Sequence, residues 1–278
     1  MERDQLTERR PDPDDTIRIF RESLANEERR KKLALDGNLA DLEKLYAPTV
    51  VEWPQMNSAL KWNFFSERSF EIPDPTTHLR TQKTVDILTG DARVLDYGCG
   101  YGYVIAEALR RGLSLDYVGI DFSEGFLNKL RKEYPFFRFY QDLLAVGQDR
   151  FDYLLLLEVL EHVLPSQTLG FLRRAISFLR PHGKIVISVP VYEDLAAITV
   201  PCWACGSLGN PNGHVRSYTP ELLRAELRLS GFELERVVPI HTPVSRPREW
   251  YWRLKELFGR VARVPANIIV VAKPIASP

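Results

Sequence analysis

The sequence predicts an α/β fold: a doubly wound, mostly parallel sheet of seven strands with an N-terminal helical extension. Three observations predict it. Short apolar runs alternate with amphipathic stretches through the middle of the 278 residues, the pattern of strands joined by covering helices. An apolar run around Val94 and Leu95 ends in Asp96 and enters a loop holding Gly98, Gly100 and Gly102, residues suited to a tight strand-to-helix turn. A second run ends in Asp121, 19 residues beyond Gly102, where a carboxylate can accept hydrogen bonds from both hydroxyls of a ribose.

From the N-terminus, residues 1–80 form the extension and residues 81–278 the sheet domain, with insertions at 191–217 and 241–265. Residues 1–45 carry 12 acidic and 10 basic side chains, which predicts a disordered lead and then a solvated helix from Thr16 to Leu45. The aromatic stretch Trp53 to Phe70 can cap a ligand cleft or pack a helix. Strands are expected at 93–97, 116–120, 136–140, 151–157, 184–190, 232–240 and 267–273. The helix after the glycine loop should bury Val104, Ile105, Ala108 and Leu109 and stop at Gly112. Leu169, Leu172, Ile176 and Leu179 mark one face of a helix that Pro181 and Gly183 end. Thr219 is placed to cap a helix with Pro220 at its first position and Gly231 as its stop. The link 191–217 is too long for an ordinary connection and predicts a functional loop. In 241–265, Trp250, Leu254, Leu257, Phe258 and Val261 share one face of a predicted helix, packed on the sheet or lining a substrate pocket.

Composition excludes several classes. With 37 basic and 37 acidic residues, no global field favours nucleic acid, although residues 246–278 hold seven basic and two acidic side chains. No apolar run reaches the roughly 20 residues of a membrane span. The N-terminus is not a signal peptide, and three cysteines give no disulfide framework. A cytoplasmic protein with a small-molecule substrate is the expectation.

The loop narrows the ligand. A dinucleotide fingerprint would need glycine at position 103, where Tyr103 stands. Asp96 would repel a phosphate but suits a ligand carrying an ammonium group. In Val94-Leu-Asp-Tyr-Gly-Cys-Gly-Tyr-Gly102 the chain resembles the class I S-adenosylmethionine-dependent methyltransferases, whose first motif is an acidic residue followed by Gly-x-Gly-x-Gly. The resemblance runs over about residues 90–240. It continues through Tyr117-Val-Gly-Ile-Asp121-Phe-Ser-Glu-Gly-Phe, with Ser123 capping the next helix, then through Phe151–Val163 and Leu179–Pro190. His182 departs from the family, which often has glycine there. The resemblance implies S-adenosyl-L-methionine as cofactor, contacted by Asp96, Gly98, Cys99, Gly100, Asp121, Phe122, Asp142, Leu143 and Glu158. It places Asp142 near the adenine amino group; a plain loop carboxylate is the alternative.

Methyl transfer is an in-line displacement on an already activated carbon, so the protein supplies alignment and a deprotonated nucleophile. Glu158, Glu161 and His162 stand at i, i+3 and i+4, which would set all three on one face of a helical turn beyond the fourth strand; His214 comes from the long link. Two carboxylates and two histidines can hold a divalent cation, Mg or Zn, with positions open to substrate oxygens. This segment resembles that of ubiquinone-pathway O-methyltransferases and of the 2′-O-methyltransferases acting on small-RNA 3′ ends. Without metal, His162 or His214 would be the general base, or the segment would serve packing. Cys202 and Cys205 with His214 offer a competing zinc set, although structural zinc sites usually close with four ligands. The sequence therefore predicts a methyltransferase acting on a small-molecule hydroxyl. Metal-free transfer to nitrogen, carbon or a carboxylate, and a non-catalytic cofactor-binding protein, are the alternatives.

Overall fold

The computed structural model describes residues 13–52, 73–201, 208–241 and 265–275. In chain order the strands are β1 (Ala92–Tyr97), β2 (Leu115–Ile120), β3 (Arg138–Tyr140), β4 (Phe151–Leu157), β5 (Leu179–Pro190), β6 (Val200–Pro201), β7 (Leu208–Gly209), β8 (Phe232–Ile240) and β9 (Asn267–Pro274). Seven of them form one sheet in the order β3-β2-β1-β4-β5-β9-β8, and β6 pairs with β7 apart from it. All neighbours in the large sheet are parallel except β9, which runs antiparallel to both β5 and β8. The chain builds outward from β1 to β3 and then returns to β4 on the other side of β1. Connections therefore leave β1 and β4 in opposite directions, which opens a crevice at their carboxyl ends.

Both faces of the sheet are covered, so β4 reads as an almost unbroken apolar run. The helices are α1 (Pro13–Leu35), α2 (Leu39–Lys44), α3 (Pro75–Val85), α4 (Tyr103–Arg110), α5 (Glu124–Glu133), α6 (Pro165–Ile176), α7 (Leu195–Ile198) and α8 (Pro220–Leu229). Leu95, Leu154, Leu156 and Ile187 point into a core shared with α1, α2, α6 and α8. Val94, Tyr117, Leu155 and Val186 point the other way, into a core shared with α3, α4 and α5. No described helix is long and apolar enough to cross a membrane.

The seven strands fall where the hydrophobic pattern puts them, with β3 shortened to three residues and β5 lengthened at its start. Thr219 accepts a hydrogen bond from the Leu222 amide as the cap of α8. Several local expectations give way to tertiary structure. α6 ends at Ile176, three residues short of the expected face, because Leu179 pairs with Phe151 and opens β5. Leu109 is 42% exposed, since the face that α4 buries is formed by Val104, Ile105, Glu107 and Ala108. The N-terminal helix breaks at Gly37 (φ 71°) and resumes from Asn38, whose side chain accepts from the Asp41 amide. It is not wholly solvated: Glu27, Arg30 and Ala34 are buried against the domain. Within 191–217 the chain forms α7 and the β6–β7 pair. The expected helix in 241–265 and the aromatic stretch from Trp53 to Phe70 lie almost entirely outside the described residues.

Candidate active site

The crevice between β1 and β4 widens into a cavity of about 660 Å³ lined by the glycine loop, the ends of β2 and β3 and the segment after β4. Gly98 adopts φ 82°, and a Cβ there would lie 2.8 Å from Val159 Cγ2; Gly102 adopts φ 72°, and its Cβ would meet Leu130 Cδ2 at 2.5 Å. The turn thus needs glycine for both backbone angle and space. Asp121 fastens the loop: Oδ2 accepts from the Gly100 amide at 3.0 Å and Oδ1 from the Ser123 amide at 2.8 Å. A carboxylate has about four acceptor positions, so two remain for hydroxyls. Ser123 stands at the N-cap of α5, but its side chain makes no capping bond; its own amide is the one that Asp121 accepts. Phe122, Asp142 and Leu143 line the same cavity, and Asp142 also caps the short turn Leu143–Val146 through the Leu144 amide.

Two expected cofactor contacts sit behind the wall. Strand alternation turns Asp96 away from Tyr97, which faces the cavity, and buries it against Tyr117, whose hydroxyl donates to Oδ2 at 2.6 Å. Burial raises the Asp96 carboxyl to about 7. Asp96 does not line the cavity; it holds the loop from behind. Cys99 packs inward beside Gly119, and its amide is taken by the Ile120 carbonyl at 2.9 Å; burial pushes its thiol up. Cys99 therefore builds the floor of the loop.

At the opposite end, the segment after β4 does not form the single helical face that its spacing suggests. Glu158 adopts φ 56°, a conformation rare for a residue with a side chain, and only Leu160–His162 form a tight turn. Glu158 lines the cavity, but its carboxylate accepts from Ser188 Oγ and Asn267 Nδ2, both at 2.8 Å, and pairs with Arg80 at 3.4 Å. It thereby stands apart from the grouping expected for a metal.

The three remaining residues do converge. One ligand atom from each of Glu161, His162 and His214 lies within 4.8 Å of the others, and the two imidazole centroids are 5.0 Å apart. His162 Nδ1 donates to the Gly213 carbonyl at 2.9 Å, and His214 Nδ1 meets the Glu193 carboxylate at 2.7 Å. Each neutral ring thus carries its proton on Nδ1 and its basic lone pair on Nε2. Glu161 is fully buried, and neither carboxylate oxygen has a hydrogen-bond partner. Burial, and then the charge of Glu158, drive its carboxyl well above the ordinary range. A buried carboxyl without a partner, facing two imidazoles, suits a cation or a donor brought by a ligand. Cys202 and Cys205 lie outside the described residues.

Sequence reasoning missed Arg80, Ser188 and Asn267, which hold Glu158, and Glu193, which holds His214. Ser188 lies in the Leu179–Pro190 segment, but nothing there marks it as a partner of Glu158, and no motif marks the other three. Arg80 and Asn267 come from α3 and β9, far from Glu158 in sequence, and only the sheet order brings them together.

Residues 65–237 match a family described as a methyltransferase domain. Over 199 residues the chain is 29% identical to a ubiquinone biosynthesis O-methyltransferase of Azorhizobium caulinodans, covering 66% of this chain and 71% of that protein. A ubiquinone biosynthesis O-methyltransferase of Bradyrhizobium diazoefficiens is 34% identical over 105 residues, which are 36% of this chain and 40% of that one. Two solved structures share the fold. One is the Burkholderia thailandensis 1,6-didemethyltoxoflavin-N1-methyltransferase, with 1,6-didemethyltoxoflavin and S-adenosylhomocysteine bound (TM-score 0.54, 20% identity, 79% of this chain and 88% of that one). The other is the putative methyltransferase in complex with the Haloferax volcanii Trm112 activator (TM-score 0.56, 18% identity, 79% and 98%). With the methyltransferase-domain match spanning more than half of its length, this chain belongs to that family and is an S-adenosyl-L-methionine-dependent methyltransferase.

Proposed function

We propose that the protein transfers the methyl group to a hydroxyl oxygen of a small-molecule acceptor held beside Glu161, His162 and His214. The carrying observation is the Glu161 carboxyl, buried without a hydrogen-bond partner next to two imidazoles whose Nδ1 atoms are already engaged. The relatives named as O-methyltransferases support an oxygen acceptor.

In this reading Asp121 binds the ribose hydroxyls, Phe122 and Leu143 flank the adenine and Asp142 takes its amino group. Glu158, held by Ser188 and Asn267, lines the end of the cavity that His162 shares. The acceptor oxygen then attacks the methyl carbon from the side opposite sulfur, the carbon–sulfur bond breaks toward a neutral thioether, and the hydroxyl proton must leave.

Glu161, His162 and His214 are a donor set of carboxylate and imidazole that fits a divalent cation, Mg or Zn, with Glu158 outside it. A bound cation would supply Lewis acidity, lowering the pKa of the acceptor hydroxyl. The metal-free reading is favoured by one specific contact: Glu193 on Nδ1 fixes the tautomer and ring orientation of His214 and leaves Nε2 to take the proton as general base. Manganese binding followed by electron paramagnetic resonance separates the two. Bound manganese lost in Glu161→Ala and His214→Ala supports the cation site; no binding by the intact protein leaves His214 as the base. The N-terminal extension, residues 1–80, is the proposed cap over the acceptor.

A further inference from the structure

The loop that carries His214 is held from behind by a buried cluster of charges that no catalytic step uses. Arg216 is fully buried, two residues beyond His214. Its Nη1 donates to Thr168 Oγ1 at 3.0 Å and to the Tyr218 hydroxyl at 2.8 Å, its Nη2 to Glu226 on α8, and its Nε lies 3.7 Å from Glu27 on α1. Glu27 also accepts from the Ser217 amide at 3.3 Å and from Arg30 at 2.9 Å. Arg30, 1% exposed, donates in turn to the Leu45 carbonyl, and the Tyr46 hydroxyl donates to Glu226. Two arginines and two glutamates thus form a closed, formally neutral box from α1, α8 and the loop.

A second chain of contacts leads from the same helix to the imidazole. Lys31 on α1 donates to Ser217 Oγ at 3.3 Å, Ser217 Oγ donates to the Glu193 carbonyl at 2.7 Å, and the Glu193 carboxylate meets His214 Nδ1. On the side toward the cavity, the Val215 amide donates to the Glu161 carbonyl at 2.9 Å, and His162 holds Gly213. The loop is therefore clamped on both sides, with His214 between the clamps. Buried ion clusters stabilise a fold less efficiently than packed apolar side chains, but directional hydrogen bonds admit one arrangement of the groups they join.

We propose that Arg216 and Glu27 are positioning residues: through the buried box, α1 fixes the loop so that the His214 ring stands opposite His162. The N-terminal extension is then a structural part of the reaction centre and not only its cover. This rests on His214 belonging to the reaction centre, so the readout is the ring itself, which reports its placement whether or not an acceptor or a cation binds there.

The test uses the full-length chain. Long-range proton–nitrogen NMR of the histidine rings should show His162 and His214 each in a single Nδ1–H tautomer, with cross-relaxation between the two rings. In Glu27→Gln and Arg216→Lys, His214 should average between tautomers and lose contact with His162. S-adenosylhomocysteine affinity by calorimetry should stay within about twofold, because the cofactor cleft lies on other elements. A His214 signal unchanged in these variants, with S-adenosylhomocysteine still bound, overturns the proposal. Should both buried variants unfold, Lys31→Met, altered outside the box, decides: a smaller change of the same kind at His214 supports the proposal, and an unchanged ring overturns it.

Discussion

Replacing Asp96 by Asn should make the cofactor-free protein relatively more stable the higher the pH. Burial raises the Asp96 carboxyl from 3.8 to about 7 even though the Tyr117 hydroxyl donates to it. Moving from 3.8 to about 7 corresponds to about 4 kcal/mol. The sign follows from proton binding. The folded state holds the proton more tightly than the unfolded state, so the stabilising contribution of neutral Asp96 is fully present below about pH 4. It is lost as pH rises toward about 7 and is gone above that. Asn cannot ionise and avoids the loss. Burying an amide has a cost of its own, but that cost is constant and cancels when the two proteins are compared at two pH values. Between about pH 5 and about pH 8 the stability difference should therefore move by roughly 2–3 kcal/mol toward the Asn protein, or about 5 °C in melting temperature for a chain of this length. Urea unfolding followed by circular dichroism measures it. A difference between the two proteins that stays the same at both pH values would refute the reasoning. The ammonium of S-adenosylhomocysteine adds a second readout: affinity should rise through about pH 7 in the native protein and stay flat in Asp96→Asn.

The other predictions concern the loop and the reaction centre. Asp121→Ala removes the acceptor for two loop amides and, in the proposed reading, for the ribose, and should weaken S-adenosylhomocysteine binding by about 100-fold in calorimetry. Gly102→Ala forces a Cβ to within 2.5 Å of Leu130 Cδ2 at φ 72° and should cost roughly 2–3 kcal/mol in urea unfolding; Gly90→Ala, with open space around it, should cost far less. If the cation reading holds, chelation should abolish methyl transfer, while Glu158→Ala should retain manganese binding that His162→Ala loses.

The sheet was legible in sequence because strands buried on both faces must be apolar along their length, and β4 with its four consecutive leucines could be little else. The glycine loop was legible for a related reason: a turn that tight leaves few residue choices at Gly98 and Gly102. Legibility failed where a residue's partner is remote. Glu158 has the helical spacing to Glu161 and His162, but Ser188, Asn267 and Arg80 draw it into another conformation, and none of those contacts has a local signature. Leu179 likewise fits the apolar face of α6 and is taken instead by pairing with Phe151. The charges of the N-terminal segment read as a solvated surface, since nothing in their spacing tells that Glu27, paired with Arg30, also meets Arg216 nearly 190 residues later.

The most direct measurement is a crystal structure with S-adenosylhomocysteine bound. The ribose should sit on Asp121 with the adenine between Phe122 and Leu143, and the sulfur should face the end of the cavity formed by Glu158 and His162. A sulfur turned toward Phe171 and Arg174, away from His162, would contradict the assignment of Glu161, His162 and His214 to the acceptor.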